Sequence, residues 1–328
     1  MSSQNLVFHT IVLPVRPQPD TIVAIFILKR FGEIKFPGIR EAKIEFWTIM
    51  PEGQSSEQLL AEGYVLIDLG SGPFDHHQKK ERITVSELVA QYLEAADDPS
   101  LAKLLEYARR DDFYGKGTVS PDPIDRALGL SGLISALNKS LPKDPGKIIE
   151  LVMPLLIAHH NEERKRFEEF PRELEGKRAE NKVVEFTVKQ RVKKLKIIML
   201  ESNNVGMPGF LRSQIGGRYD VVVQKNQLGY VNILTRPAKR IDLRSLAALI
   251  RLREADKNGL EISEDPESLM AKRRINEVPN WYYDTATNSI LNGSTVSSVD
   301  IAPTKIDWLE LRKIIELGLT EELISPHV

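Results

Sequence analysis

The chain has 328 residues, 41% hydrophobic and 28% charged, with a formal net charge of −1 and no cysteine. That composition fits a globular protein with room for two cores. The missing thiols exclude disulfides, iron–sulfur clusters, thiolate zinc and a cysteine nucleophile. No apolar run approaches the roughly 20 residues that span a bilayer, and residues 1–5 lack the basic and apolar regions of a signal peptide, so a cytoplasmic location is expected. The near-neutral total hides an asymmetry. Residues 182–260 hold sixteen Lys and Arg against six Asp and Glu. Such a stretch reads either as an anion-binding face or as a solvated surface paired with acidic flanks.

In chain order, residues 6–13 (LVFHTIVL) read as a buried strand, which makes His9 a core or interface histidine. Pro17 and Pro19 force a loop. Asp20 or Thr21 then caps a helix running through Ile22, Ile25 and Leu28 to Gly32. Residues 42–49 and 64–69 read as further strands with a helical segment, 55–62, between them. Strands alternating with helices predict a parallel sheet covered on both faces. Helical patterns come next at 85–96, 101–110, 125–138 and roughly 145–170. Residues 183–190 and 194–201 read as strands, 208–215 as a short helix, and 219–225 with 230–235 as a hairpin. Asp242 caps a helix that Gly259 stops. The fold class expected is α/β: a parallel doubly wound domain over residues 1–175, then a smaller mixed α/β domain over 183–328 ending in a tail, with the site in the cleft between them.

The chemistry gathers after the third strand. Asp68 lies at its carboxyl end, a Gly- and Pro-containing turn comes after it, and then Asp75-His76-His77. Carboxylates suit hard divalent cations and imidazole suits intermediate ones. In open α/β sheets ligands bind beyond the carboxyl ends of strands, where Asp20, after the first strand, also falls. Asp111 and Asp112, at the end of a helix before the Gly115-Lys116-Gly117 loop, offer another carboxylate. With only six histidines in the chain, two beside two carboxylates favour a ligand role. Asp20 has a second reading as a helix cap.

These residues resemble the DHH phosphoesterase superfamily, which includes family II pyrophosphatases and RecJ-type phosphoesterases. The order is that of the family: Pro19-Asp20, then Asp68, then Asp75-His76-His77, then Asp111 or Asp112. The resemblance covers residues 6 to about 115. It continues more weakly through Gly216-Gly217-Arg218-Tyr219-Asp220 into the basic segment, where the family's Gly-Gly-Gly-His signature is missing. It implies that Asp20, Asp68, His76 and Asp111 or Asp112 hold one or two Mn2+ or Mg2+ ions. It also implies that His77 faces a substrate phosphate and that Asp75 orients a histidine. Divalent ions supply an activated water near neutral pH and neutralise phosphoryl charge. The implied activity is therefore metal-dependent hydrolysis of a nucleotide or short oligonucleotide phosphoester.

Two positions depart from the family. Arg16 stands where it has a histidine and Ile22 where it has an aspartate, and neither can ligate a metal. A one-ion site, a two-ion site completed by water or substrate, and a lapsed site in a nucleotide- or nucleic-acid-binding protein all remain open. Arg16 could clamp a phosphate directly. Arg212, Arg218, Arg236, Lys239 and Arg240, with Lys225, are the substrate-binding candidates in the basic segment. The partner expected is a phosphorylated small molecule or short nucleic acid, with no membrane; a homodimer is compatible with the sequence, which marks no interface. His159-His160 reads as a solvated helix face and Trp281 as an anchor to a core.

Overall fold

The computed structural model describes residues 6–77, 79–115, 120–263, 265–293 and 301–320. The chain is mixed α/β and divides into two compact units between Phe167 and Glu168. The second unit, from Glu168, is the slightly shorter of the two. Lys116 and Gly117 of the loop after Asp112 lie outside the described residues.

In the first unit, β1 (Thr10–Pro14) is the centre of a three-stranded parallel sheet, flanked by β2 (Lys43–Trp47) and β3 (Tyr64–Leu66) in the order β2-β1-β3. Successive side chains of a strand point to opposite faces. Ile11, Leu13, Val65 and Ile67 therefore enter the main core, while Val12 and Leu66 pack on the other face against Leu59. Leu59 belongs to α2 (Ser56–Ala61), and α1 (Pro19–Phe31) supplies Ile22, Ile25 and Leu28 to the main core. Helical cover on both faces is what a parallel sheet requires. The helices α3 (Val85–Tyr92), α4 (Ala102–Tyr114), α5 (Pro123–Leu128), α6 (Leu130–Ser140) and α7 (Pro145–Arg164) complete the unit. Gly129 divides the helix expected over 125–138 into α5 and α6.

Two histidines differ from expectation. His9 precedes β1 and is exposed, its ring bonding Thr10 Oγ1 and the Glu62 carbonyl. His160 is buried rather than solvated: its ring packs edge-on against Phe26 and Phe31, and Nε2 lies 3.0 Å from Ser100 Oγ. The charged run around it disguises an inward-facing stripe of α7, on which Glu163 is also buried and paired with Lys103.

A π-helical stretch (Lys165–Glu169) succeeds α7 and leads into α8 (Phe170–Ala179). The second unit holds a six-stranded mixed sheet of order β4-β5-β6-β7-β9-β8. Its strands are β4 (Val183–Gln190), β5 (Lys193–Glu201), β6 (Val221–Lys225), β7 (Val231–Thr235), β8 (Trp281–Asp284) and β9 (Ser289–Asn292). Only β5 and β6 are parallel, connected through α9 (Met207–Arg212); the other neighbours are antiparallel. Ile197, Met199, Val221, Val223 and Ile233 pack on one face with Leu246 and Ile250 of α10 (Arg244–Asn258). Ile198, Leu200 and Val222 pack on the other with Phe170, Leu174 and Phe210. The short α11 (Pro266–Leu269) and the helix α12 (Trp308–Thr320) complete the second unit. Gly259 ends α10 in the left-handed conformation, as its sequence position predicts. Trp281 is fully buried and donates its indole N–H to Glu254, so it is the anchor expected.

Candidate metal centre

Asp68 lies two residues beyond β3. The Ile67 amide still donates to the Val12 carbonyl, continuing the sheet, and then the backbone turns sharply. Asp68 takes φ +59°, a left-handed conformation that Asp tolerates better than most residues. Its amide donates to the Phe74 carbonyl at 2.8 Å and closes a seven-residue loop. Gly70 permits that loop: it too is left-handed, and a Cβ there would lie 2.7 Å from Met50 Sδ. Phe74 is buried against Phe36 and Tyr92. An aromatic anchor therefore fixes the point from which Asp75-His76-His77 departs.

Asp75 organises the turn that carries the two histidines. Its Oδ2 accepts from the Ser71 amide at 2.8 Å, and its Oδ1 accepts from the His77 amide at 3.1 Å and lies 2.8 Å from His77 Nδ1. Burial raises the Asp75 carboxyl, but these hydrogen bonds outweigh it and hold the group below the usual carboxylate range. The same bond pushes the His77 imidazole up. The same ring nitrogen, Nδ1, also faces Asp68 Oδ1 at 3.3 Å, so the two carboxylates flank one side of the imidazole. Asp75 therefore holds the His77 backbone and ring together.

Asp68, His76 and His77 converge, one donor atom from each lying within 4.8 Å of the others. Asp68 Oδ1 is 3.2 Å from His76 Nδ1 and 3.3 Å from His77 Nδ1, and the two imidazole rings stack 4.7 Å apart. Asp68 Oδ1 and His76 Nδ1 are buried, yet neither has a hydrogen-bond partner among the described residues. Two ligands at right angles around an ion bound at about 2.1 Å sit about 3 Å apart. The donor set, its spacing and its two unsatisfied atoms therefore fit a divalent cation. Burial raises the Asp68 carboxyl, opposed by the neighbouring histidines.

Of the two candidate aspartates on α4, Asp112 has its Oδ2 3.9 Å from His76 Nε2. Asp111 is buried one helical turn after Tyr107. Arg82, which the sequence did not mark, secures this end of α4. Its guanidinium donates to the Phe113 carbonyl at 2.7 Å and lies over the Phe113 ring. The same helix borders a cavity of about 390 Å³, bounded by Tyr107, Ile124, Leu128 and Ser131.

The first-loop residues take other roles. Asp20 neither caps its own helix nor joins the converging group. Gln18 is the cap of α1, and the buried Asp20 carboxylate accepts from the Val85 and Ser86 amides at 2.9 and 3.0 Å, closing the first turn of α3. Thr84 and Glu87 complete that turn as a reciprocal capping box. Burial pushes the Asp20 carboxyl up to about 6. Ile22 is fully buried in the main core. Arg16 is exposed, and its guanidinium makes no hydrogen bond or ion pair among the described residues.

The basic candidates of the second unit divide in two. Arg212 is spent on the Pro208 and Thr235 carbonyls, and Arg236 and Lys239 face the buried Asp220 at 2.7 and 3.8 Å. Lys225 pairs with Glu201. Arg218 and Arg240 are exposed, both with left-handed backbones.

No family model and no curated protein matches the chain. Among solved structures it is similar to an uncharacterized protein from Helicobacter pylori G27, at 11% identity and a TM-score of 0.26. The match covers 94% of this chain and 98% of that one. No helix among the described residues is long and apolar enough to cross a membrane.

Proposed function

We propose that the protein is a divalent-metal-dependent phosphoesterase with a single resident ion, acting on a nucleotide or short oligonucleotide. The observation that carries this reading is the convergence of Asp68, His76 and His77 around two buried atoms that have no hydrogen-bond partner among the described residues. Asp68 and the two histidines would hold Mn2+ or Mg2+, with Asp112 beside His76. Bound there, the ion supplies an activated water near neutral pH and stabilises charge on the phosphoryl oxygens. Asp75 keeps the His77 ring in place. A one-ion site is favoured because Asp20 serves α3 and Ile22 serves the core.

The second reading, a nucleotide- or nucleic-acid-binding protein whose site no longer turns over, draws on those same two residues. Hydrolysis assays separate the two. Purified protein is supplied with Mn2+ or Mg2+ and offered a panel of nucleoside monophosphates, dinucleotides and short oligonucleotides, beside His76→Ala. Metal-dependent hydrolysis that His76→Ala abolishes supports the enzyme. Metal uptake without hydrolysis of any member leaves the binding protein.

A further inference from the structure

In the second unit the parallel strands β5 and β6 end side by side, and a cavity of about 300 Å³ opens beyond their carboxyl ends. That is where open α/β sheets bind ligands, and the volume suits a small molecule. Its wall is rich in amides and, among the described residues, carries no charged side chain: Asn203, Gln224, Asn226, Gln227 and Asn232, with Tyr230 beside them. The lining is therefore tuned to a neutral ligand.

The hydrogen bonds already made show which amide atoms remain. Gln224 spends its NH₂ on the Ser202 and Asn204 carbonyls, which leaves Oε1 as an acceptor. Asn203 Oδ1 accepts from the Gln227 amide, and Asn226 Oδ1 from the Leu228 and Tyr230 amides, which leaves both NH₂ groups as donors. Asn232 Oδ1 is buried with no hydrogen-bond partner among the described residues. A buried acceptor left unmade is costly, and such groups in folded proteins call for a specific partner. Apolar Val205 and Leu228 stand exposed at the rim.

We infer that this cavity binds the base of a nucleoside. A planar, uncharged ring carrying donors and acceptors in fixed positions matches planar amides that read both. Its N–H would satisfy Asn232 Oδ1, and Tyr230 with the apolar rim would cover its faces. The inference goes beyond the metal centre and holds whether or not an ion binds there.

The test is calorimetric titration of the full chain in chelator with adenosine, guanosine, cytidine and uridine. These lack a phosphate, so the metal centre contributes nothing. At least one should bind. Asn232→Leu, which removes the unsatisfied acceptor at similar size, should abolish that binding while its melting temperature stays level or rises. Leu228→Asp, on an exposed rim position that folding tolerates, should weaken binding tenfold or more, and it decides the matter if Asn232→Leu does not fold. The inference is overturned if no nucleoside binds, if free monosaccharides bind instead, or if both variants bind as the native chain does.

Discussion

Asp68 Oδ1 and His76 Nδ1 face each other at 3.2 Å, both buried, and no hydrogen bond closes between them. A carboxylate and an imidazole so placed ordinarily bond or separate. Held together by a loop closed at Phe74, they present two lone pairs to one point. The loop's stiffness keeps them there: a left-handed Asp68, a left-handed Gly70 and the buried Phe74 ring leave the chain little freedom.

Asp75 should matter through His77. Asp75→Asn removes the charge that holds the His77 ring and should lower Mn2+ affinity about 10- to 100-fold, the usual effect of losing a carboxylate that supports a metal-binding histidine. Titration calorimetry of the variant beside the native chain measures this. Unchanged affinity would show that His77 needs no such support.

Ile22 should not be convertible into a ligand. It lies fully buried among apolar side chains, so Ile22→Asp places an unpaired carboxylate in the core. The variant should lose about 3–5 kcal/mol of stability in urea unfolding, without gaining a second ion. Arg16→His, at an exposed position, should unfold like the native protein. A stable Ile22→Asp chain that takes up two ions would overturn the one-ion reading.

Asp20 gives the protein a pH signature. Its carboxyl is raised from 3.8 to about 6, chiefly by burial. The folded state thus holds the proton more tightly than the unfolded chain. The stabilisation is full below the ordinary value and is lost as pH rises toward 6, amounting to about 3 kcal/mol. Asp20→Asn does not titrate. Its unfolding free energy minus that of the native chain should therefore climb by about 2 kcal/mol between pH 4 and pH 7. A flat or falling difference would mean that the amides of Val85 and Ser86 outweigh burial.

Glu254 is a fully buried carboxylate that accepts from the Trp281 indole, the Thr304 hydroxyl, the Lys305 amide and the Asn258 side-chain amide. Glu254→Ala leaves these donors unmade at about 1–3 kcal/mol each, and Trp281 emission should shift as its environment loosens. Native stability in that variant would show that other groups satisfy them.

The sequence announced the converging site because its polar residues fall where an apolar strand stops, a break in pattern that needs no tertiary information. It also announced Gly259, the hairpin of β6 and β7, and the start of α3 at Val85. What it concealed depends on partners distant in the chain. Asp20 sits at the start of a helix and reads as that helix's own cap, yet it serves α3 some 65 residues on. His160 looks solvated because its neighbours are charged, but 3.6-residue periodicity turns it inward toward Phe26. The β8–β9 hairpin has no Gly or Pro in its turn. Asn288, with φ +51°, and Asp284, which accepts from the Ala286 amide, are the only local signs of it.

The central claim is that Asp68, His76 and His77 form a one-ion centre. Mn2+ titration of chelator-stripped protein at neutral pH tests it most directly. The account predicts one Mn2+ per chain for the native protein and for Arg16→Ala, and none for Asp68→Ala or His76→Ala when both variants retain the native circular dichroism spectrum. Absence of uptake by the native chain, or one Mn2+ still bound by both variants, would contradict it.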